Sequence, residues 1–433
     1  MTESTIDLDQ QQVQSDNWEE ETLSDSDKLE FEVDQKTFAS TLNKVFLSVD
    51  PKLPNLKNFL VEIDSTNGNL KFTGFNGSIS VIGILPVVKL KTNLSKFCLD
   101  ASALRTLIDK LPSNLLKVAM AGSRLTIKSG KNKYKLDVAA SAQSFPVLPN
   151  ETKEEIAIDL ETLRGGIDRV SFACYPESHG GILNGVRIKL TKDKISFVGA
   201  HTALISRWEL PVESESVAEI VIPLASVRSL NGLINLEAKA KDDDSPVTIK
   251  FEKKTLVRFV FESGTEFVSR LYSDAYPPVE KLIEDSVKIG CVDSILIDRK
   301  RWLESLERIK LMAELSLDAS AAKLCDVLCL FGDDSVSLKL REGDDQRIDE
   351  ELSCTRSNGT EPIRVIFSVH ILMSILRVFK SDLIELKPEN GLKRWFFAVD
   401  PKESEDQDNL DSHLQCLLAP KLSTFEEVPP KNA

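Results

Sequence analysis

The residue types that most often carry out catalysis are sparse in this chain. Its four histidines are His179, His201, His370 and His413, and none belongs to a nucleophile elbow, a zinc-type histidine pair or a glycine-rich phosphate loop. His201 lies in a segment between two predicted strands, and with an acid such as Asp193 it is the best candidate for hydrolytic chemistry. A cytosolic hydrolase is therefore an alternative, but one without a nucleophile motif.

Metal-binding patterns are equally sparse. The seven cysteines show no disulfide rhythm, which favours free buried thiols in a reducing compartment and predicts a cytoplasmic protein. Cys325 and Cys329 lie in the apolar run 324–331 without a second ligand pair, so we interpret them as strand core. The acidic runs 242–244 and 333–334 fall at predicted turns and are typical of solvated loops. We expect no metal site and no cofactor.

The acidic net charge is concentrated at the N-terminus. The chain has 433 residues and a formal charge of −14, of which residues 1–30 contribute ten acids and one lysine. That segment is rich in Gln, Ser and acids, which predicts a disordered tail and no signal peptide. The remaining residues carry only −5, so the total charge does not exclude a nucleic-acid partner. No apolar run reaches the roughly 20 residues of a membrane helix.

The chain predicts three copies of one unit. Apolar periodicity indicates six amphipathic helices, at 34–48, 101–112, 159–172, 223–234, 298–314 and 368–380, each followed by alternating, strand-like runs. Alternate helices start 125 and 139 residues apart in one series, and 122 and 145 apart in the other. Such a spacing is a whole-domain repeat, with two helices and antiparallel strands in each copy. Pauses in the pattern predict boundaries near 149–150 and 283–286.

The predicted helices concentrate positive charge. They hold 14 cations against nine acids, while the rest of residues 31–433 is net −10. Basic helices on an acidic body suggest a surface that meets phosphate groups, although ordinary solvated helix faces would show a similar pattern. Aromatic residues do not alternate with these cations, which argues against recognition of single-stranded bases.

Short motifs in each unit resemble the bacterial sliding clamp, the β subunit of DNA polymerase III. They occur in the family's order from Phe31 to Leu422. The motifs are Phe31-Glu32-Val33, Leu53-Pro54 and 144–149 in the first unit, Leu183-Asn184-Gly185-Val186, 267–271 and Tyr276-Pro277 in the second, and Asp298-Arg299, 303–309 and Leu417-Leu418-Ala419-Pro420 in the third.

This resemblance implies an α+β fold of three clamp domains that join head to tail into a ring dimer. The domains would span 31–150, 151–285 and 286–422, between an acidic tail at 1–30 and a C-terminal tail at 423–433. The protein would be a non-catalytic processivity factor that encircles double-stranded DNA without sequence preference. The helix cations would then face the DNA; they are Lys36, Lys44, Arg105, Lys110, Arg164, Arg169, Arg228, Arg301, Arg308, Arg377 and Lys380.

The resemblance also implies two protein-binding surfaces. A pocket between the second and third units would hold short peptide motifs of the polymerase and the clamp loader. Its residues would be Leu183, Thr202, Leu204, Ile205, Pro277, Leu282, Leu417, Ala419 and Pro420. The homodimer would form through Tyr134 and Leu136 of one protomer and Leu311 and Met312 of the other.

The chain departs from the family pattern at the rim of that pocket. The family's Ala-Thr-Asp-Gly-His-Arg stretch reads Gly199-Ala200-His201-Thr202-Ala203-Leu204 here, so the His-Arg pair is missing. A specialised clamp paralogue that tethers a repair polymerase or another partner is therefore the alternative within this family.

Overall fold

The computed structural model describes residues 28–54, 56–139, 142, 145–146, 148, 154–176, 178–239, 245–252, 255–316, 325–340, 349–358, 361–390, 395–401 and 413–421. The chain divides into two compact units, Met1–Leu148 and Pro149–Ala433. Residues 1–27 of the predicted N-terminal tail 1–30, the predicted C-terminal tail 423–433 and the acidic run 242–244 lie outside the described residues. The last three residues of the predicted N-terminal tail, 28–30, instead begin a β-strand, Lys28–Asp34. No described helix is long and apolar enough to cross a membrane.

The first unit is an antiparallel sheet with two helices. Its strands follow the order β4-β3-β2-β6-β9-β8-β7-β1-β5 across the sheet. In chain order the elements are β1 Lys28–Asp34, α1 Gln35–Val45, β2 Asn58–Asp64, β3 Asn69–Phe75, β4 Ile79–Pro86, β5 Val88–Thr92, β6 Lys96–Asp100, α2 Ala101–Lys110, β7 Leu115–Ala121, β8 Arg124–Ser129 and β9 Asn132–Ala139.

The second unit starts with a module of eight strands and two helices. They are β10 Glu154–Asp159, α3 Leu160–Val170, β11 Gly185–Leu190, β12 Lys194–His201, β13 Leu204–Pro211, β14 Ala218–Pro223, α4 Leu224–Ala238, β15 Pro246–Glu252, β16 Leu256–Phe261 and β17 Glu266–Arg270. Helix α5, Val279–Ile289, follows this module.

A similar module completes the second unit. It contains β18 Ile295–Asp298, α6 Arg299–Ser316, β19 Asp326–Phe331, β20 Ser335–Leu340, β21 Asp349–Arg356, β22 Ile363–Ser368, α7 Val369–Val378, β23 Leu383–Pro388, β24 Phe396–Val399 and β25 Leu414–Leu418. One continuous sheet, β14-β11-β12-β13-β25-β24-β23-β18-β21-β20-β19-β22, links the two modules, and β10-β15-β16-β17 lie side by side in order.

The element order repeats six times, which is finer than the predicted threefold repeat. Apart from the additional β5, each module is two copies of strand, helix and three strands. The first strand of each copy pairs with the other copy of its module: β1 with β7 and β6 with β2, β10 with β15 and β14 with β11, β18 with β23 and β22 with β19. This exchange makes the two copies of a module inseparable, because neither has a complete sheet alone.

Aspartates start four of the six repeated helices. Asp34, Asp100, Asp159 and Asp298 each accept a hydrogen bond from the backbone N–H three residues later, at 2.6–2.9 Å. Such a cap satisfies one of the N–H groups that the first helical turn leaves without a partner, and it typically contributes about 1 kcal/mol. The strand-to-helix junctions are therefore encoded locally.

Close packing of helix on sheet explains one glycine. In α3, a Cβ atom on Gly166 would lie 2.5 Å from the ring of Phe197 on β12. Phe197 and Trp208, which contact each other at 5.7 Å between ring centroids, are both fully buried beneath this helix. Glycine lets α3 approach the sheet at this point.

The prediction of six helices was incomplete. The structure describes a seventh α-helix, α5, across the segment where the pattern was interpreted as a pause. The predicted boundary between residues 285 and 286 falls inside it and is wrong, because a helix is one hydrogen-bonded element. The chain turns after α5 at Gly290, whose φ of +79° suits glycine, and we propose the boundary there.

Candidate DNA interface and peptide pocket

The two helices of each module lie side by side and are joined by polar contacts. In the first module Arg105 Nε donates to Asn43 Oδ1 at 2.5 Å, and Asn43 Nδ2 donates to Asp109 at 3.0 Å. Such contacts fix the angle between the helices while leaving part of each side chain in solvent.

Equivalent contacts occur in the other modules. Asn231 of α4 donates to Asp168 of α3 at 2.8 Å. In the third module Arg377 of α7 donates to Glu307 of α6 at 2.9 Å. Three helix pairs are therefore cross-linked in the same manner, each within its own module.

The predicted DNA-facing cations differ in exposure. Seven are exposed: Lys36, Lys110, Arg228, Arg301, Arg308, Arg377 and Lys380. Three are half-buried, namely Arg105, Arg164 and Arg169. Lys44 is only 8% exposed, so the structure gives little cationic surface at that position and we leave it out of the proposed contact set. Lys380 lies two residues beyond the end of α7 rather than within a helix.

Several of these arginines already make contacts within the chain. Arg105 lies over the ring of Phe46 at 4.5 Å, and Arg169 over Trp208 at 5.3 Å. Arg308 donates to both carboxylate oxygens of Glu350 at 2.6 Å, and this hydrogen bonding raises the pKa of the guanidinium above its ordinary value. Contacts within the chain therefore hold these three side chains in place.

Three of the predicted pocket residues, Leu183, Ile205 and Leu417, meet in one apolar cluster. Ile205 pairs in register with Leu417, and Leu183 packs against the same group. The cluster continues into the segment around α5 through Tyr276, Val279 and Ile283, and into β24 through Phe397.

Two predicted pocket residues lie elsewhere. Leu204 is fully buried but does not belong to this cluster, because neighbouring strand residues point to opposite faces and Ile205 occupies the pocket face. On α5 the buried apolar residues are Val279 and Ile283, whereas Leu282 is 49% exposed. Thr202 is exposed at the turn after β12, and Pro277, Ala419 and Pro420 are half-buried.

A buried arginine attaches α5 to the sheet beside this cluster. The side chain of Arg187 on β11 is 4% exposed, forms an ion pair with Glu280 in the first turn of α5, and lies 5.1 Å from the ring of Tyr276. Burial raises the pKa of Tyr276 and lowers that of Arg187. Sequence reasoning missed this pair, because a single arginine in a strand ordinarily points to solvent.

The predicted dimer contacts lie on an open strand edge and an exposed helix surface. Within the described sheet, Asn132–Asp137 of β9 pair only with β8, while Val138 and Ala139 pair with β6. On α6 the buried stripe is Trp302, Leu306, Ile309 and Ala313. Leu311, Met312 and Leu315 are instead 54%, 40% and 73% exposed.

Comparison with known families identifies this architecture. Residues 29–149 match the N-terminal domain of the DNA polymerase III beta subunit, and residues 157–278 match its central domain. The chain belongs to the DNA polymerase III beta subunit family. The match covers the first two modules, including β9 and most of the pocket.

Individual relatives extend the match into the third module. The beta sliding clamp of Synechocystis is 25% identical over 304 residues, which cover 65% of this chain and 74% of the relative. The beta sliding clamp of Chlamydia trachomatis is 22% identical over 375 residues, covering 83% and 81%. The crystal structure of the Streptococcus pneumoniae beta chain superposes with a TM-score of 0.78 at 20% identity, covering 91% of this chain and all of the other.

The structure separates His201 from Asp193, the acid named for the hydrolase alternative. His201 and Asp193 lie at opposite ends of the eight-residue strand β12, roughly 25 Å apart at about 3.3 Å per residue. His201 Nδ1 accepts a hydrogen bond from the backbone of Ala203 at 3.1 Å, and Asp193 accepts from Thr191 at 2.7 Å. The two side chains therefore serve turns at the two ends of the strand.

The cysteines are buried thiols in this fold. All seven are free, and six of them are buried. Burial raises the pKa of Cys98 to about 11 and the pKa values of Cys174 and Cys416 to about 12. Among the described residues no group of three or more His, Cys, Asp or Glu side chains could hold a metal ion.

Proposed function

We propose that this protein is a DNA sliding clamp, a processivity factor that encircles duplex DNA and tethers the replicative polymerase. The observation that carries the proposal is the family match over 29–149 and 157–278, combined with the sixfold strand–helix–three-strand repeat. The proposed role is non-catalytic and cytoplasmic. Contacts to phosphates carry no sequence information, so such a protein can slide.

The charge distribution supports contact with DNA through the helices. Within their observed bounds, the six paired helices hold 13 cations and seven acids, in a chain of net charge −14. Duplex DNA attracts such a surface through release of counterions, which makes the contact weak at physiological salt and independent of sequence. Lys36, Lys110 and Arg228 are the exposed cations that we expect to contribute most.

A head-to-tail homodimer would close the ring. The β9 edge of one protomer would receive the exposed α6 surface of the other, so that two protomers supply twelve helices. The apolar side chains at this contact bury surface worth about 25 cal/mol per Å². Pairing would also remove an open strand edge, which otherwise invites aggregation.

The apolar cluster around Ile205 and Leu417 would hold peptide motifs of the polymerase and the clamp loader. Short peptides bind such surfaces with a few apolar anchors, and the partly buried residues here, Leu183 and Trp395, lie at the margin of the cluster.

Retention on closed DNA tests the ring. Protein assembled by a clamp loader on a nicked circular plasmid should stay bound for many times longer than on the same plasmid after linearisation, because a ring slides off free ends. Linear DNA with both ends blocked by streptavidin is the matched control and should restore retention. Equal lifetimes on circular, open linear and blocked linear DNA would contradict the proposal.

A further inference from the structure

The outward face of the sheet in the first unit is strongly basic. In β1, β7 and β8 one set of alternating residues is buried, such as Leu29, Val118 and Ile127, and the other set points away from this core. Together with β5 and β9, the second set carries Lys28, Lys89, Lys91, Lys117, Arg124, Lys128, Lys133 and Lys135 against Glu30, Glu32, Asp34 and Asp137. We call the solvent-exposed side of β1, β5, β7, β8 and β9 the basic face.

Lysines on the basic face are neighbours across strands. Lys117 pairs in register with Lys128, and Lys128 pairs with Lys133. Like charges directly opposite each other destabilise a sheet. Lysine on edge strands is a common protection against aggregation, and Lys133 lies on the open edge of β9. Lys117 and Lys128 lie on the interior strands β7 and β8, so edge protection does not account for them.

A groove of about 490 Å³ runs over the centre of the basic face. Small residues, Ala119 and Thr126, lie in its floor, and Lys89, Lys91 and Lys128 line its sides. The lining also holds two acids, the exposed Glu30 and the buried Glu32. Glu32 accepts from Lys89 at 2.8 Å and lies 3.5 Å from Lys117. A groove with small residues at its base and lysines along its sides fits an extended, acidic chain.

Residues 1–27 have the composition that this groove requires. They contain nine acids and no lysine or arginine, together with the apolar residues Met1, Ile6, Leu8, Val13, Trp18 and Leu23. The segment joins the sheet directly, because Lys28 is the first residue of β1. Fully extended it reaches up to about 90 Å, several times the length of a seven-residue strand at about 3.3 Å per residue.

We propose that the acidic segment 1–27 binds the basic face of the same protomer. The segment is held at a millimolar effective concentration by its attachment to β1, so weak charge contacts suffice to keep it there. Its carboxylates offset the repulsion along the Lys117–Lys128–Lys133 row. The occupied groove is then closed to other anions, including DNA, which leaves the helices as the DNA-binding surface.

Carbodiimide cross-linking of the full chain tests the contact. This reagent joins a carboxylate to an amine that touches it, and we expect amide links from acids of 1–27 to Lys89 and Lys117. The links should disappear at about 1 M salt, where the screening length falls to about 3 Å. Links mainly to the helix lysines Lys36 and Lys110 would overturn the proposal.

A charge-removal variant tests the same contact without the cross-linker. Lys91→Gln/Lys128→Gln removes two of the positive charges that line the groove. The variant should fold, because it keeps Lys89 and Lys117, the partners of Glu32, and reduces the repulsion between neighbouring lysines. Cleavage after Glu19, Glu20 and Glu21 by a glutamyl endopeptidase should become about fivefold faster than in the wild type, as expected for two lost surface charge contacts.

Lys52→Gln/Lys192→Gln is the matched control, because both lysines are exposed and lie outside the basic face. Its cleavage rate should equal that of the wild type. Equal cleavage in all three proteins would overturn the proposal. Loss of the wild-type cross-links on adding a random-sequence DNA duplex, with no effect of Lys91→Gln/Lys128→Gln on cleavage, would instead assign the face to DNA and would also overturn it.

Discussion

A buried ion pair fixes the start of the third module. Asp293 and Arg356 each expose 2% of their side chains, and Asp293 Oδ2 accepts from Arg356 Nε at 2.7 Å. Arg356 also donates to the carbonyl oxygens of Phe331 and Gly332, both at 3.1 Å. One arginine therefore joins the segment before β18 to the turn that follows β19.

Hydrogen bonding sets the ionisation of this aspartate. Burial alone would raise the pKa of Asp293, but hydrogen bonds from Arg356 and from the backbone amides of Asn358 and Ser294 outweigh it, so the pKa lies below its ordinary value. A carboxyl group with a lowered pKa stabilises the fold above its unfolded pKa. That stabilisation is lost as the pH falls through the folded pKa.

We predict that Asp293→Asn destabilises the second unit by about 3–5 kcal/mol at pH 7, because it leaves the charge of Arg356 buried without a counter-ion. The free energy of unfolding of the variant should also fall less steeply than that of the wild type below about pH 4, which is near the unfolded pKa of an aspartate. Urea unfolding followed by circular dichroism between pH 7 and pH 3 measures both effects.

Asp382→Asn is the control for this prediction. Asp382 also has a lowered pKa, from its hydrogen bond with Lys300, but its side chain is 82% exposed. The control should unfold like the wild type at pH 7. If Asp293→Asn did so too, the buried pair would not stabilise the module.

At the scale of elements, α5 connects the second module to the peptide pocket. Its buried residues Val279 and Ile283 belong to the apolar cluster, and Glu280 pairs with the buried Arg187. The helix beside the proposed pocket is thus held to β11 by a buried ion pair as well as by apolar packing.

We predict that a peptide with Leu or Phe anchors binds in the micromolar range, at about −8 kcal/mol, with little salt dependence because the contact is mainly apolar. Leu183→Asp should weaken binding by at least about 30-fold, because a carboxylate beside apolar anchors loses its hydration. Leu183 is only partly buried, so the variant should remain folded. Isothermal titration calorimetry at two salt concentrations measures both effects.

Val217→Asp is the matched control, since Val217 is 60% exposed and lies outside the cluster. It should bind the peptide normally. Wild-type protein without affinity for such a peptide, or Leu183→Asp with unchanged affinity, would show that the cluster is not the partner site.

At the scale of the whole molecule, one face of α6 is buried in the fold and the other is exposed and available for the proposed assembly. Its buried stripe, Trp302, Leu306, Ile309 and Ala313, packs within the third module. Leu311, Met312 and Leu315 remain exposed in the single chain, and an exposed apolar group of this kind is typical of a protein interface.

We predict that Leu311→Lys converts the proposed dimer into monomers, because a lysine at the proposed contact with Tyr134 and Leu136 would bury an unpaired charge. Leu311 is 54% exposed, so the change should leave the fold of the protomer intact. Sedimentation velocity at micromolar concentration measures the change. Val217→Lys, at a position of similar exposure, should stay dimeric, and a dimeric Leu311→Lys would contradict the proposed interface.

The sequence alone indicated the features that depend on neighbouring residues. Helix positions followed from apolar periodicity. The aspartates that the structure shows before α1, α2, α3 and α6 are local signals too, because each acts within one turn. The family motifs and the threefold spacing then indicated the α+β clamp fold, which the family match confirms.

The tertiary structure decided what depends on distant residues. The two copies of a module exchange their first strands, and Arg187 forms an ion pair with Glu280; both contacts join segments that are remote in the chain. The burial of Lys44 likewise appears only in the folded chain. Periodicity reports which face of an element is apolar but not what lies against it. For that reason α5 was taken for a pause and Leu204 for a pocket residue, since only packing shows which neighbour covers each side chain.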